Sequence, residues 1–258
     1  ALNTTIEKAS AEIFSDILKT IFLTGNDSAT IVLPAAGLNQ LYCEDSDKFI
    51  NEHGGKIMLS EKMIRFESEQ NVITKIYSDK NEYIEFDYVV FAIPAYSLQR
   101  VVLASNYELP LPNFEFSPIV NVHFWLKENP FEEKFYSIID SEIHWLFNHG
   151  SYITLMSSAA ENLILLDESE IKRLFSSEME KYFPIFKREF ITSSKVIKEK
   201  RATFVPDVSS DVLRKNFTCS IENMFIAGDW TDTELPSTIE SAVLSGRMAA
   251  HKVITSLE

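Results

Sequence analysis

Apolar residues at Ile6, Ala9, Ile13, Ile17, Leu18 and Ile21 recur at helical spacing, which predicts an amphipathic helix near the start of the chain. A loop follows at Thr24-Gly25-Asn26-Asp27. Ile31-Val32-Leu33-Pro34 then leads to a turn at Gly37 and a second helix from Asp45 to His53, closed by Gly54-Gly55. From Lys56 the period falls to two, through Ile57/Leu59, 63–66, 72–77 and 83–86, a strand meander with turns at Ser68-Glu69 and 78–81. The unbroken apolar run 88–93, closed by Pro94, has the pattern of a strand buried on both faces. Beyond a Pro-containing connection at 109–112, strand-like runs at 119–126, 135–139, 143–147 and 152–157 predict an antiparallel sheet. Ile171, Leu174, Phe175 and Met179 give 168–182 a helical stripe with Pro184 as its stop, and 191–197 and 202–205 return to strand. A short buried strand at 223–227 ends at Gly228. Ser237 or Thr238 then caps a last helix with a small face of Ala242, Ser245, Gly246, Ala249 and Ala250.

With 258 residues, 45% of them hydrophobic, the chain can bury a substantial core as one large or two smaller domains. A net charge of −14 argues against nucleic acid as a partner, because phosphate binding needs clustered Lys and Arg. Cys43 and Cys219 lack companions at metal-ligand spacing and read as buried free thiols in a reducing compartment, so a cytoplasmic location is expected. The longest apolar stretch, 88–95, is far shorter than the ~20 residues of a spanning helix. No basic and apolar leader precedes the first helix, so no signal peptide is expected, and the start at Ala1 leaves truncation or processing open. The five histidines show no metal or triad spacing and read as structural or surface groups. No G-x-S-x-G elbow occurs. Trp125, Trp145 and Trp230 read as core aromatics, with the lining of an apolar pocket as the alternative.

The informative stretch is 225–250, a strand that stops at Gly228-Asp229, crosses a loop and feeds a helix. The unsatisfied N–H groups and dipole of such a helix start favour an electron-rich or anionic group. A carboxylate at the strand's carboxyl end can accept hydrogen bonds from ligand hydroxyls. A purely structural Asp229 and helix cap fit the same residues.

The whole segment resembles the closing FAD motif of the flavin amine-oxidase and carotenoid-desaturase superfamily. Within it, Ala227-Gly-Asp-Trp-Thr-Asp-Thr-Glu-Leu-Pro236 and Thr238-Ile-Glu-Ser-Ala242 are most similar to the squalene-associated FAD-dependent desaturases, the hydroxysqualene dehydroxylases of the hopanoid pathway. Glu234 and Ser241 depart from it, standing where that family usually has Gly. Blocks beginning at Ala1, Gly37, Ser117 and Arg201 resemble the family in the same order, so the resemblance covers essentially the whole chain. It implies a cofactor site of Gly228, Asp229, Trp230, Pro236, Thr238 and Ile239, with Asp229 on the ribitol and the helix start at the pyrimidine edge. It also implies a backbone contact to adenine at Met63, a residue that on its own reads as core. Amine oxidases are disfavoured, since that branch usually reads Gly-Glu at the corner.

The seven glycines contain no G-x-G-x-x-G, the turn that carries the pyrophosphate of FAD. The chain is therefore expected to supply only the closing half of an FAD site, not to hold FAD alone, and to be inactive alone. The expected fold is α/β with a mixed sheet: an incomplete Rossmann-like FAD domain plus a substrate domain of antiparallel sheet and helices. Residues 1–52 and 96–200 would form the substrate domain, 53–95 the strands of the FAD region and 201–258 the closing strand and helix. By resemblance the complete protein would reduce hydroxysqualene to squalene, with phytoene-like desaturation as the alternative. A separate N-terminal partner segment, an apolar isoprenoid substrate and peripheral membrane contact are the expected associations.

Overall fold

A computed structural model describes residues 2–34 and 37–257. Ala1, the first residue of one family-like block, lies outside them. The chain has mixed α/β content and divides into two compact units, Ala1–Ser10 with Phe114–Leu213, and Ala11–Asn113 with Arg214–Glu258. Residues 11–52 and 96–113 thus group with 53–95, and 201–213 with 114–200.

In the second unit α1 (Ala11–Leu23) starts later than the apolar spacing from Ile6 suggests: Ile6 lies in a turn, and the Ser10 N–H is taken by the Pro206 carbonyl at 2.9 Å. A single π turn at Gln40–Glu44 runs into α2 (Asp45–Glu52). Gly54 ends it in a left-handed conformation, φ +80, and the Gly55 N–H reaches back to Ile50 O at 2.9 Å. Neither helix buries a residue. β1 (Met63–Glu69), β2 (Val72–Ser78) and β3 (Glu82–Tyr83) form the predicted antiparallel meander. Its first turn lies at Gln70-Asn71, not Ser68-Glu69, because both residues adopt the positive φ that a two-residue hairpin requires. Ile57 and Leu59, read as strand, are in none; both are exposed and their alternation joins no sheet. β4 (Val89–Phe91) is followed at once by α3 (Ala95–Ala104), which the periodicity reading does not anticipate. Pro94 stops the strand and also occupies the N-cap of the helix, where its missing N–H costs nothing. Ala95, Leu98, Val101 and Val102 bury one face of α3, which packs on β1.

The first unit is built on β5 (Phe116–Leu126), β6 (Phe135–Ser137), β7 (Trp145–Asn148), β8 (Tyr152–Ser157) and β9 (Ile191–Phe204), ordered β6-β7-β8-β5-β9 and antiparallel at every pairing. Two predicted strands merge into β9: the charged stretch Lys198-Glu199-Lys200-Arg201 stays extended because β9 is an edge, where polar residues face water. Alternate residues Val120, Val122, Phe124, Leu146, Ile153 and Leu155 share a core with Ile171, Phe175 and Met179 of α4 (Glu168–Tyr182). The α4 start carries a full capping box: Asp167 Oδ1 accepts from the Glu170 N–H at 2.9 Å and Glu170 Oε2 from the Asp167 N–H at 2.8 Å. Asn3 ties the amino-terminal segment to this sheet, donating to Thr203 Oγ1 at 2.8 Å and Ser117 O at 3.3 Å while accepting from the Ala159 N–H at 2.9 Å. α5 (Val208–Asn216), also unanticipated, begins where Asp207 Oδ1 accepts the Ser210 N–H at 2.7 Å.

Candidate functional site

β10 (Met224–Ile226) runs parallel to β4 and hands over to α6 (Ile239–Thr255) through residues 227–238. This is the expected strand–loop–helix, although β4 is shorter than predicted and not buried on both faces. Val90 is 43% exposed, because among the described residues the parallel sheet has only two strands. Asn223, just ahead of β10, is buried and its amide binds across sheets: Oδ1 accepts the Ile73 N–H at 2.8 Å, and Nδ2 donates to Ile73 O at 2.9 Å and Asp87 O at 3.3 Å. The parallel pair is thereby fixed to the meander.

At the end of β10 the Gly228 N–H donates to Ser245 Oγ at 2.7 Å, and φ is +151. A Cβ here would meet Trp230 Nε1 at 2.6 Å, so the close approach requires glycine. The next residue, Asp229, is half-buried and accepts through Oδ2 from the Ser237 hydroxyl. Ser237 is therefore not the helix cap; Thr238 is, its side chain accepting the Ser241 N–H at 3.2 Å. That leaves the N–H groups of Ile239 and Glu240 at the helix start outside the capping bond, in the half-positive end of the α6 dipole.

Trp230 is 3% exposed, donates Nε1–H to Ile93 O at 2.9 Å and packs against Phe217 at 5.4 Å. Its ring is a strut between the loop and the end of the β4 segment. A polar lattice shapes the rest of the loop. Thr231 donates N–H and O–H to Gly228 O, and Arg214, itself buried, donates to Thr231 O at 2.9 and 2.7 Å and to Thr233 Oγ1 at 3.0 Å. Thr233 Oγ1 lies 2.6 Å from Ser241 Oγ, which also donates to Asp229 O at 3.3 Å. Ser241 thus bolts the helix start to the loop. Glu234 has φ +60, the left-handed conformation that a glycine adopts without strain.

The structure accordingly brings Gly228, Asp229, Trp230, Pro236, Thr238 and Ile239 into one turn of chain, whereas Met63 lies half-buried in another sheet, opposite Ser78. Arg214 escaped the sequence reading, and Asn223, Thr233 and Ser245 entered it only as members of a strand, a motif and a helix face, not as hydrogen-bonding supports; no local signal marks a single polar residue whose partners are decided by distant packing. A cavity of about 620 Å³ lies beside β10, lined by Phe217, Ile221, Met224, Ile226, Met248 and Ala249 among others, and Asp229 is not part of its wall. Cys219 also lines it and burial pushes its thiol pKa up, while Cys43, expected to be buried, is exposed; both thiols are free. No metal-binding cluster and no helix long and apolar enough to cross a membrane exist among the described residues.

The family model for flavin containing amine oxidoreductases matches residues 11–254. Hydroxysqualene dehydroxylases of Sinorhizobium fredii and Zymomonas mobilis are each 25% identical, over 97% and 96% of this chain and 59% of theirs. A 15-cis-phytoene desaturase of Glycine max is 22% identical over 93% of the chain and 44% of its own length. The chain thus spans about three-fifths of the dehydroxylases' length. Among solved structures, a redesigned putrescine oxidase (TM-score 0.58, 13% identity, 80% of this chain and 51% of that one) and a putative protoporphyrinogen oxidase of Exiguobacterium (0.56, 14%, 76% and 48%) share the fold.

Proposed function

The chain belongs to the flavin-containing amine oxidoreductase family, and from that premise we propose that it is the closing portion of an FAD-dependent oxidoreductase that reduces hydroxysqualene to squalene. The observation that carries the reading is the β10–α6 corner in a chain similar over 97% of its length to hydroxysqualene dehydroxylases. Its residues fit one end of a flavin: Gly228 has no room for a side chain, and the first N–H groups of α6 remain available.

In this reading Asp229, with Oδ2 steadied by Ser237, offers its other carboxylate oxygen to the hydroxyls of the ribityl chain. Ile239 and Glu240 present N–H groups to the pyrimidine edge. Trp230 and Pro236 hold the loop, and the Met63 main chain takes the adenine. The reduced flavin, when bound, supplies the hydride. Protein groups supply placement and a dry surround, which protects a cationic substrate from water. The pyrophosphate turn would come from a segment corresponding to the two-fifths of the relatives that this chain does not cover, in the same chain or in a partner, and without it this chain is inactive. An apolar substrate also calls for peripheral contact with membrane lipid.

The test is flavin absorbance retained after gel filtration, for the chain alone and co-expressed with a segment corresponding to the uncovered part of its relatives. Retention only with that segment, lost in Asp229→Ala, is expected; stoichiometric retention by the chain alone overturns the half-site. The phytoene desaturase matches keep a second substrate in view, and product analysis of the reconstituted enzyme with hydroxysqualene and with phytoene separates the two.

A further inference from the structure

We infer that Arg214 is a positioning residue that biases the β10–α6 corner toward the reduced, anionic form of the flavin, its charge reaching the corner through Thr233 and Ser241. The flavin rests on the function proposed above; the charge and its path rest on the fold.

Residues 227–241, which make the corner, carry four carboxylates, Asp229, Asp232, Glu234 and Glu240, and no lysine or arginine. Two-electron reduction of a flavin leaves negative charge on its pyrimidine side unless a second proton is taken up, and a protein tunes the potential through the charges it places nearby. Among these carboxylates alone the reduced ring would be disfavoured. Arg214, in the last turn of α5, supplies a positive charge that persists across the whole working range of pH. It is 4% exposed, so water and salt screen its field only weakly.

The bonds donated by Arg214 feed a directed chain. Its Nη2 donates to Thr233 Oγ1 at 3.0 Å, besides the bonds from Nε and Nη2 to Thr231 O at 2.9 and 2.7 Å. Ser241 Oγ donates to Asp229 O at 3.3 Å. A hydroxyl has one proton, so the 2.6 Å bond between Thr233 Oγ1 and Ser241 Oγ is donated by Thr233. Guanidinium, Thr233, Ser241 and the Asp229 carbonyl therefore line up donor to acceptor, and each bond polarises the next. Ser241 lies in the first turn of α6, its N–H held by the Thr238 cap, so the chain passes beside the N–H groups of Ile239 and Glu240 that the cap leaves over. Guanidinium and helix dipole thus place positive potential at the same end. The direct acceptors of Arg214, a carbonyl and a hydroxyl, would be satisfied equally by a neutral donor; what a guanidinium adds to a brace is its charge.

The test loads the chain, co-expressed with a segment corresponding to the uncovered part of its relatives, with FAD, and measures the midpoint potential of the bound flavin by reductive titration against a reference dye. In the parent it should lie above that of free FAD. Arg214→Gln, which keeps a donor but loses the charge, should weaken the binding of reduced relative to oxidised FAD about tenfold, ~30 mV for a two-electron couple. Arg214→Lys, which keeps the charge but loses the fork, should stay near the parent. Thr233→Val, which cuts the chain and leaves the charge, should give a smaller fall than Arg214→Gln. A parent potential at or below that of free FAD, an unshifted Arg214→Gln, or equal shifts in the Gln and Lys variants each overturns the proposal, the last by reducing Arg214 to a brace. The parent measurement decides the matter even where a variant fails to fold. Absence of retained flavin with the segment would defeat the flavin reading and this role together, whereas retention with an unmoved potential defeats only the role of Arg214.

Discussion

Replacing Asn223 with Leu removes an amide from a buried site while keeping the number and branching of its heavy atoms, so the cost reports the lost hydrogen bonds and not a cavity. Three bonds disappear: the one Asn223 accepts from the Ile73 N–H and those it donates to Ile73 O and Asp87 O. Ile73 is 2% exposed, so its N–H finds no water in exchange. A buried donor left without a partner costs about 1–3 kcal/mol, and the two carbonyls add a smaller amount. The expected loss is about 4 kcal/mol, a large share of the 5–15 kcal/mol typical of a domain. At about 2–4 °C per kcal/mol for chains of this size, the unit containing Asn223 should melt roughly 8–16 °C lower. Asn223→Asp sharpens the test, because it keeps an acceptor for Ile73 but turns a carboxylate toward two carbonyls. Its folded pKa is then raised above the unfolded value, so the folded state binds more protons and the variant gains stability as pH falls. Urea melts and hydrogen exchange at the Ile73 amide are the assays. A Leu variant within 1 kcal/mol of the parent, with Ile73 still protected, would refute the reasoning.

Glu234→Gly should stabilise the loop by about 0.5–1 kcal/mol, since relief of a left-handed non-glycine residue outweighs the extra freedom of glycine when unfolded; a lower melting temperature would contradict it. Gly228→Ala should cost about 2 kcal/mol or more, because its Cβ would meet the Trp230 ring, and should alter near-ultraviolet circular dichroism from that indole. Glu61 accepts from Ser78, Asn81 and Tyr83, and these bonds lower its pKa to about 2. With the folded pKa depressed, its contribution is fully present above pH about 4.5 and fades as pH falls toward about 2. Glu61→Gln should accordingly melt below the parent at neutral pH and converge with it in acid; parallel curves would count against the assignment.

How far the fold was legible depended on whether its cause was local. α4 was readable to the residue because its stripe and the proline stop that follows it are local in sequence; its Asp167 capping box was not read. The hairpin turn at Gln70-Asn71 was misplaced by two residues because Ser68-Glu69 looks turn-like and only the backbone φ values reveal the true corner. α3 was invisible because Pro94 reads as an end, and nothing local says it is also a beginning. In the candidate site, the Gly228-Asp229 corner was legible from residue chemistry and resemblance, and the helix cap was narrowed to Ser237 or Thr238. The hydrogen bonds that support it were not: nothing local says that Arg214 and Thr233 bond each other or that the Asn223 amide reaches Ile73 until the loop and both sheets close around them.

The first unit's core and the helices α1 and α2 differ in how completely they are packed, and the difference bears on the partner segment proposed above. Between the first unit's sheet and α4 the core is closed, with Phe124, Phe175, Leu146 and Ile171 at 1% exposure or less. α1 and α2 bury nothing, and Phe14, Phe22, Leu23, Leu41, Phe49 and Leu59 are all exposed. An amphipathic helix gains most of its stability from the face it buries, so helices of this composition are not stable as a bare surface. Lipid is one candidate cover. Residues 11–59, however, carry seven carboxylates against three lysines, the wrong sign for an anionic bilayer. A polypeptide cover is therefore favoured, and co-expression with the uncovered portion of the relatives should reduce the binding of a hydrophobic dye to this chain and slow proteolysis within 11–59. Dye binding that falls equally with anionic vesicles alone would assign that face to the membrane instead.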